Sequence, residues 1–396
     1  MNRVMFVDDE EFVLTTLRGF MRKLGDEWEA EFAGSGPKAL ELLEQKPFDI
    51  IVSDMRMPDM TGAELLNEVM RRHPRTARVV LSGYSDEQDV LRAIGVTHQW
   101  LAKPCPLNVL RSVLEGVIRF QQRLENPELK TLAGEIQNLP SVPLIYQRIL
   151  DALQSPNSTT QTIGGIVIQD AGLAAKVLHL ANSAFFGFAQ SVSSPGEAVQ
   201  LLGVNRIRSL ALMHHVFCAF SGGPEQQAEV EDLRQHSLHT GWLAQQIVEL
   251  EHGEAHVAEE AFTAGLLHDI GQLMLMAEHP AAWNEVRELA RSRQCTLYQA
   301  EKDVLKTTHA DLGAYLLTLW GLPLPLVEAV AFHHEPAESG VSGFSTLTAV
   351  HVANVWSREQ LGGAQDLLRS SINVDYLKSV GVVDRLEYWR SQFFPE

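Results

Sequence analysis

Short apolar runs alternate with amphipathic stretches over the first quarter of the chain. Uninterrupted apolar runs predict strands buried on both faces, and apolar residues spaced by three and four predict helices. The predicted strands are Arg3–Val7, Trp28–Ala33, Ile50–Val52, Arg78–Leu81 and His98–Ala102. The predicted helices between them are Glu11–Leu24, Pro37–Gln45, Ala63–Arg72 and Asp86–Ile94. This alternation predicts an α/β domain with a five-stranded parallel sheet and helices on both faces.

An amphipathic helix is predicted directly after the last of these strands. Its apolar seam consists of Leu107, Leu110, Leu114, Val117 and Leu124. The seam has two interpretations: it packs on its own sheet, or it pairs with a second chain and makes a homodimer. The Asn-Pro step at residues 126–127 ends the pattern, so we assign residues 1–122 to the first domain and 123–138 to a helical linker.

Helical periodicity dominates from Leu144 onward, with no strand alternation. The predicted helices are Leu144–Leu153, Thr162–Gln169, Leu173–Asn182, Ala198–Leu202, Ile207–Phe220, Leu233–Leu250, Ala258–Met276, Ala281–Arg293, Ala310–Leu319, Leu326–His333 and Leu347–Trp356. Residues 139–396 are therefore predicted to form an all-α domain. The aromatic residues near the C-terminus, such as Trp389 and Phe393, predict a last helix that docks on this domain. A partner-binding face is the alternative.

Composition narrows the class of protein. A chain of 396 residues predicts two or three domains. The net charge of −18 argues against a protein that binds nucleic acid through the phosphate backbone. No helix-turn-helix with a basic recognition helix stands out, so DNA is not an expected partner. The widely spaced Cys105, Cys218 and Cys295 predict reduced thiols. With no signal peptide and no long apolar run, we expect a cytoplasmic protein that does not enter a membrane.

Polar residues stand at the ends of several predicted strands. Asp8 and Asp9 follow the first strand, Asp54 the third, Ser82 the fourth and Lys103 the fifth. Parallel strands bring their carboxyl ends to one edge of the sheet, so these side chains are expected to meet there. Clustered carboxylates predict a Mg²⁺ site, and the lysine and hydroxyl can hold phosphoryl oxygens. Together they can support an acyl phosphate on Asp54, although a lone aspartate here could also be a helix cap.

This set resembles the receiver domain of bacterial two-component response regulators, a flavodoxin-like α/β fold. The resemblance rests on Asp8-Asp9, the DMRMPDMTG run around Asp54, Ser82-Gly83 and Lys103-Pro104. It implies that a histidine kinase phosphorylates Asp54 and that Ser82 and Lys103 contact the phosphoryl group. It also implies Mg²⁺ held by Asp8, Asp9, Asp54 and the backbone carbonyl of Arg56. Trp100 matches the aromatic switch position of the family, and a plain core residue is the alternative.

The start of the helical half resembles the HDOD family, an HD-related output domain. The matching phrases are LPSVPLIYQRILDAL, IVIQDAGLAAKVLHLANSAFFG and AVQLLGVNRIRSLAL, and the resemblance extends from about Leu139 to at least His334. Members of this family mostly act in signalling through partner proteins. The resemblance therefore implies an output that works by protein–protein interaction, with the partner protein unknown.

Histidines and carboxylates in the second half form a further candidate site. They are Asp232, His236, His268, Asp269, His309, His333 and His334. Imidazoles and a carboxylate from several helices can bind Fe, Mn or Zn and activate a water against a phosphodiester. The pattern resembles the HD superfamily of phosphohydrolases, especially the HD-GYP cyclic dinucleotide phosphodiesterases. It departs at Gln272, where lysine is usual, at Asn354, where aspartate is usual, and in lacking the GYP loop.

Two functions follow from this pattern. In the first, the receiver relays phosphorylation to an HDOD output whose histidines only hydrogen-bond inside a helical core. In the second, phosphorylation gates a metal-dependent phosphodiesterase. The sequence predicts a response regulator in both cases and leaves the catalytic activity of its output open.

Overall fold

In a computed structural model of the protein, the described residues are 1–82, 97–123, 144–154, 159–169, 173–174, 177, 194–219, 224–320, 322–361 and 371–394. They form two compact units. The first contains Met1–Ser141 and Leu305–Leu324, and the second contains Val142–Val304 and Pro325–Glu396. The predicted helix near Asp86–Ile94, most of the 123–138 linker and the LANSAFFG phrase lie outside the described residues.

The first unit is built on a parallel sheet. Its strands are β1 (Asn2–Val7), β2 (Trp28–Ala33), β3 (Ile50–Asp54), β4 (Ala77–Ser82) and β5 (Gln99–Ala102). Their order is β2-β1-β3-β4-β5, and every neighbouring pair is parallel. All of β3 is buried, which explains the apolar run Ile50–Val52 at its start. The predicted five-stranded parallel sheet is confirmed.

Four helices of the first unit precede the linker within the described part of the chain. They are α1 (Glu11–Leu24), α2 (Gly36–Gln45), α3 (Gly62–Arg72) and α4 (Leu107–Arg123). Helix α3 begins with a capping box, in which Thr61 and Glu64 satisfy each other's backbone N–H groups. This cap fixes where the chain enters α3 directly after the loop that follows β3.

A buried arginine joins β4 to the start of β5. The Arg78 N–H donates to His98 Nδ1 at 3.0 Å, and the Arg78 guanidinium lies 2.7 Å from His98 Nε2. Burial lowers the pKa of Arg78 to about 10. Burial and the charge of Arg78 hold the pKa of His98 well below its ordinary value. His98 is therefore neutral in the folded protein at physiological pH.

The rest of the described chain is helical. Its helices are α5 (Leu144–Gln154), α6 (Thr160–Val167), α7 (Pro195–Leu202), α8 (Val204–Ala219), α9 (Pro224–Leu250), α10 (Ala255–Leu267), α11 (Ile270–Glu278), α12 (Pro280–Arg293), α13 (Leu297–Leu305), α14 (His309–Leu319), α15 (Leu324–Phe332), α16 (Thr346–Leu361), α17 (Val374–Ser379) and α18 (Leu386–Phe393). Single 3₁₀ turns occur at Pro336–Ser339 and Val383–Arg385. The predicted all-α second half is confirmed for the described residues.

Helix α14 belongs to the first unit, although it follows the second half in sequence. It packs on α4, where Arg123 Nε donates to Asp311 Oδ1 at 2.8 Å. Farther along the same contact, a Cβ placed on Gly116 would lie 3.4 Å from the Thr318 methyl group. Several apolar side chains of α4, among them Leu114 and Val117, are buried. The apolar seam of α4 was expected to face its own sheet or a second chain, and the contact with α14 was not foreseen.

Two helices meet closely in the second unit and set the position of its candidate site. A Cβ placed on Gly265 of α10 would lie 2.6 Å from the Gly241 Cα of α9, so the two backbones touch. Helix α16 packs on both α9 and α10. The predicted single helix Ala258–Met276 was wrong, because α10 ends at Leu267 and α11 begins at Ile270. The predicted docking of the C-terminal helix is confirmed: Trp389 is fully buried.

Candidate functional site

The carboxyl edge of the sheet brings Asp8, Asp54 and Lys103 together. Asp8 follows β1 and Asp54 ends β3, and both are buried. Lys103, which follows β5, donates through Nζ to Asp8 Oδ2 at 2.7 Å and also to Asp54 Oδ1. One ammonium group thus joins two carboxylates from separate strands. Asp9 is exposed beside them.

Backbone groups orient the carboxylate of Asp54. Its Oδ2 accepts a hydrogen bond from the Arg56 N–H at 2.6 Å. The Gly62 N–H donates to the Met55 carbonyl at 3.0 Å and holds the start of α3 against the end of β3. A Cβ on Gly62 would lie 2.2 Å from the Asp54 carbonyl oxygen, so only glycine fits here without a shift of the backbone.

The electrostatics of this edge favour a charged lysine. Burial alone would lower the pKa of Lys103, but its hydrogen bonds to Asp54 and Asp8 outweigh burial and raise that pKa. The residues present also fit Mg²⁺, because two converging carboxylates and the exposed Asp9 are hard oxygen donors with access to water. The structure places the backbone of Ser82 at the end of β4, paired with Ala102. The side chains of Ser82 and Trp100 lie outside the described part of the structure.

A buried group of imidazoles and one carboxylate forms the second candidate site. His236 lies on α9, and His268 and Asp269 occupy the break between α10 and α11. His236 Nε2 is 3.1 Å from His268 Nε2 and 3.7 Å from Asp269 Oδ2. His268 Nε2 is 3.2 Å from the same Asp269 Oδ2 atom. His333, just after α15, brings its Nε2 within 3.6 Å of Asp269 Oδ1.

Carbonyl oxygens fix which ring nitrogens face the centre of this group. His268 Nδ1 is 2.8 Å from the Gly265 carbonyl, and His333 Nδ1 is 2.8 Å from the Val330 carbonyl. A carbonyl only accepts, so each Nδ1 carries the proton and each Nε2 offers a lone pair. This second layer of hydrogen bonds is the arrangement by which proteins orient histidine ligands to a metal.

Residues of α16 complete the second site. Asn354 Oδ1 lies 2.9 Å from His236 Nε2, and Ser357 Oγ lies 2.9 Å from His236 Nδ1. Arg358 donates through Nη2 to Asp269 Oδ2 at 2.9 Å. Burial, followed by the charge of Arg358, holds the pKa of His236 well below its ordinary value. The sequence analysis missed Arg358, because no spacing connects it with Asp269, which lies 89 residues earlier.

The remaining candidates are placed differently. The His334 ring is tilted by 44° against that of His333 with centroids 4.1 Å apart, and its ligand atom lies within 4.8 Å of those of Asp269 and His333. His309 is buried at the first position of α14, in the first unit. Asp232 is exposed and is not among the converging groups of the described residues, so it does not join His236 as expected from their spacing.

The donor set of the second site fits a divalent transition metal. Metal–ligand bonds of about 2.0–2.1 Å at angles of about 90–110° put two ligand atoms on one ion about 2.8–3.4 Å apart. The Nε2 atoms of His236 and His268 are 3.1 Å apart, and the nearest Asp269 oxygen is 3.2 Å from His268. Imidazole nitrogens with one carboxylate suit Fe, Mn or Zn.

Family comparisons agree with both halves of the structure. The HDOD domain family matches residues 139–336, and the response regulator receiver domain family matches residues 4–115. The chain therefore belongs to the HDOD family and carries a receiver domain before it. It is a response regulator with an HDOD output, and it belongs to two-component signalling.

Individual relatives cover parts of the chain. An HDOD domain protein of unknown function from Geobacter sulfurreducens is 26% identical, with a TM-score of 0.53, over 67% of this chain and 88% of that one. An uncharacterized Treponema pallidum protein is 24% identical over 58% of this chain and 44% of its own length. The hydrogenase transcriptional regulatory protein HoxA of Cupriavidus necator is 32% identical over 39% of this chain and 31% of its own length.

The matched stretches thus span less than half the length of these two curated relatives. Among the described residues, no helix is both long enough and apolar enough to cross a membrane.

Proposed function

We propose that Asp54 accepts a phosphoryl group from a histidine kinase and that this charge alters the HDOD output. The observation that carries the proposal is the position of Lys103 Nζ between Asp8 Oδ2 and Asp54 Oδ1. A buried nucleophilic carboxylate with a neighbouring cation is what an acyl phosphate needs. Mg²⁺, held by Asp8, Asp9 and Asp54, would screen the charge of the incoming phosphoryl group.

The transfer is a displacement at phosphorus. An oxygen of the Asp54 carboxylate forms a new P–O bond while the P–N bond to the kinase histidine breaks. The imidazole leaves with the bonding electron pair, and the aspartyl phosphate brings about two negative charges to the edge of the sheet. Lys103 then has phosphoryl oxygens as partners in addition to carboxylates, which changes the hydrogen bonding of the loop after β5.

Helix α14 offers a direct route from the receiver to the output. Its residues fall within the stretch that matches the HDOD family, yet it packs on α4 in the first unit. The Arg123–Asp311 ion pair ties the two helices together at one end of α4. We propose that a shift of α4 on phosphorylation changes how α14 is held and so changes the surface that the HDOD domain offers to a partner protein.

Phosphorylation of the purified full-length chain by acetyl phosphate and Mg²⁺ tests the first step. Intact mass spectrometry should show the addition of one phosphoryl group to the wild type and to Asp59→Asn, but not to Asp54→Asn. Asp59 is a matched control, because it is an exposed aspartate in the same loop. Equal labelling of wild type and Asp54→Asn would refute the assignment.

Hydrogen exchange of the same samples tests the second step. Phosphorylation should change the exchange of peptides from α4 and α14 in wild type and leave Asp54→Asn unchanged. Peptides from α12, in the second unit, serve as the internal reference. Phosphorylation of Asp54 without any change in α14 would refute the proposed route.

A second candidate function is metal-dependent phosphodiester hydrolysis in the HDOD half. The convergence of His236, His268 and Asp269, with a proton-free Nε2 of His268 facing inward, favours this candidate. Metal analysis, with hydrolysis of a cyclic dinucleotide, tests it. Metal and turnover should both be lost in His268→Asn and kept in His256→Asn, whose side chain is 65% exposed. Metal-free, inactive protein after loading with Mn²⁺, Fe²⁺ or Zn²⁺ would remove this candidate.

A further inference from the structure

Arg358 engages the same carboxylate oxygen that a metal would need. Its Nη2 donates to Asp269 Oδ2 at 2.9 Å. That oxygen also lies 3.2 Å from His268 Nε2 and 3.7 Å from His236 Nε2, so it faces the centre of the site. The guanidinium therefore already supplies positive charge to the buried carboxylate.

A divalent ion and this guanidinium would repel each other. An ion bound to Asp269 Oδ2 at about 2.0–2.2 Å would lie within a few ångströms of Arg358 Nη2. Like charges this close oppose each other strongly where little water screens them, and Asp269 is only 2% exposed. The Arg358 side chain can turn away from Asp269 into solvent, because it is 41% exposed and lies near the end of α16.

We propose that Arg358 is an internal counter-ion that competes with a divalent transition metal for Asp269. The inference rests on the proposed metal site of the HDOD half. With Arg358 in place, the buried Asp269 carboxylate keeps a positively charged partner without an ion. Metal enters when the guanidinium swings to solvent. Arg358 is thus a positioning residue that sets metal affinity.

Arg358 and a metal ion would compete for one particular oxygen of the Asp269 carboxylate. Arg358 contacts Oδ2, which faces His236 and His268, whereas His333 lies on the Oδ1 side of the same carboxylate. The affinity for an ion coordinated by His236 and His268 should therefore increase when Arg358 is removed. The affinity for an ion coordinated by His333 and His334 should change much less when Arg358 is removed. The proposal thus predicts which histidines the gain in affinity depends on.

Titration of the metal-free full-length protein with Co²⁺, followed by visible absorbance and calorimetry, tests the proposal. We expect Arg358→Gln to bind Co²⁺ about 10- to 100-fold more tightly than wild type, a change of the size that outer-layer partners of metal ligands produce. Arg358→Lys, which keeps the charge, should stay close to wild type. Arg390→Gln is the matched control, because it removes an exposed arginine that pairs with Glu359, next in sequence to Arg358.

Double variants locate the ion. Arg358→Gln with His236→Asn should lose the gain in affinity, and Arg358→Gln with His334→Asn should keep it. Arg358→Met, which keeps the apolar stem, replaces Arg358→Gln should that variant not fold. Equal Co²⁺ affinity in wild type and both neutral variants would overturn the role of Arg358 and leave the metal site standing. Absence of Co²⁺ binding in every variant would overturn the metal site as well.

Discussion

The replacement Gly62→Ala tests how the structure positions Asp54, the proposed phosphoacceptor. A Cβ at this position would lie 2.2 Å from the Asp54 carbonyl oxygen and 3.0 Å from the Met55 Cα. Both are backbone atoms, so the clash can be relieved only by moving β3 and α3 apart. Such overpacking typically costs about 1–3 kcal/mol. Alanine is a better helix former than glycine by at most about 1 kcal/mol, so the net effect is destabilising.

Hydrogen exchange measures the destabilisation by Gly62→Ala at individual amides, which global unfolding of a chain with more than one domain would not isolate. After the helix gain is subtracted, a net loss of up to about 2 kcal/mol corresponds to as much as about 30-fold faster exchange of the β3 amides in Gly62→Ala. The same displacement should slow the labelling of Asp54 by acetyl phosphate about 10- to 100-fold, since catalytic geometry tolerates little misplacement.

Gly19→Ala provides the matched control. Gly19 lies inside α1, and a Cβ built there meets nothing within 4 Å. Alanine at this exposed helical position should stabilise α1 by about 0.5–1 kcal/mol and leave phosphorylation unchanged. If Gly62→Ala exchanged and phosphorylated like wild type, the close approach of α3 to the end of β3 would not control the site.

Three further predictions concern packing and charge. A double-mutant cycle of Arg123→Ala and Asp311→Ala should give a coupling of about 0.5–1 kcal/mol, modest because the arginine is 30% exposed; additive effects would contradict the ion pair. The folded pKa of His98 lies below its unfolded value of about 6.5, so His98 contributes stability above that pH and loses it as pH falls. The protection factors of the β4 amides, which correct for the intrinsic pH dependence of exchange, should therefore fall below about pH 6.5, and His98→Gln should flatten that dependence. Trp389→Phe should cost about 1–3 kcal/mol by urea denaturation, because the buried indole N–H loses its bond to a glutamate, whereas Tyr388→Phe, at 41% exposure, should cost almost nothing.

The sheet and the polar residues at its carboxyl edge could be predicted from the sequence because they depend on local patterns. Strands buried on both faces leave apolar runs, and the residue that ends each run marks one edge of the sheet. Strand β2 was predicted to the residue, and β3 differed only at its end, where the polar Ser53 and Asp54 still belong to the strand.

The helical half was less readable, because its chemistry depends on contacts between distant residues. The sequence did not indicate the break at His268–Asp269, because apolar residues stand on both sides of it: Leu267 ends α10 and Ile270 begins α11. The Arg358–Asp269 ion pair could not be predicted from sequence spacing, because the two residues are 89 positions apart. Asp232 is exposed and lies outside the converging groups of the described residues, because an i, i+4 relation to His236 only allows a common direction.

Helix α14 has a practical consequence for how this protein can be taken apart. A fragment that stops after the receiver would leave α4 without the helix that packs on it, and a fragment that starts at residue 139 would carry α14 without its support. Each fragment should be prone to aggregate when made alone, and mixing them should restore solubility. A recombinant protein that takes either half from a relative would need side chains that keep α14 packed on α4.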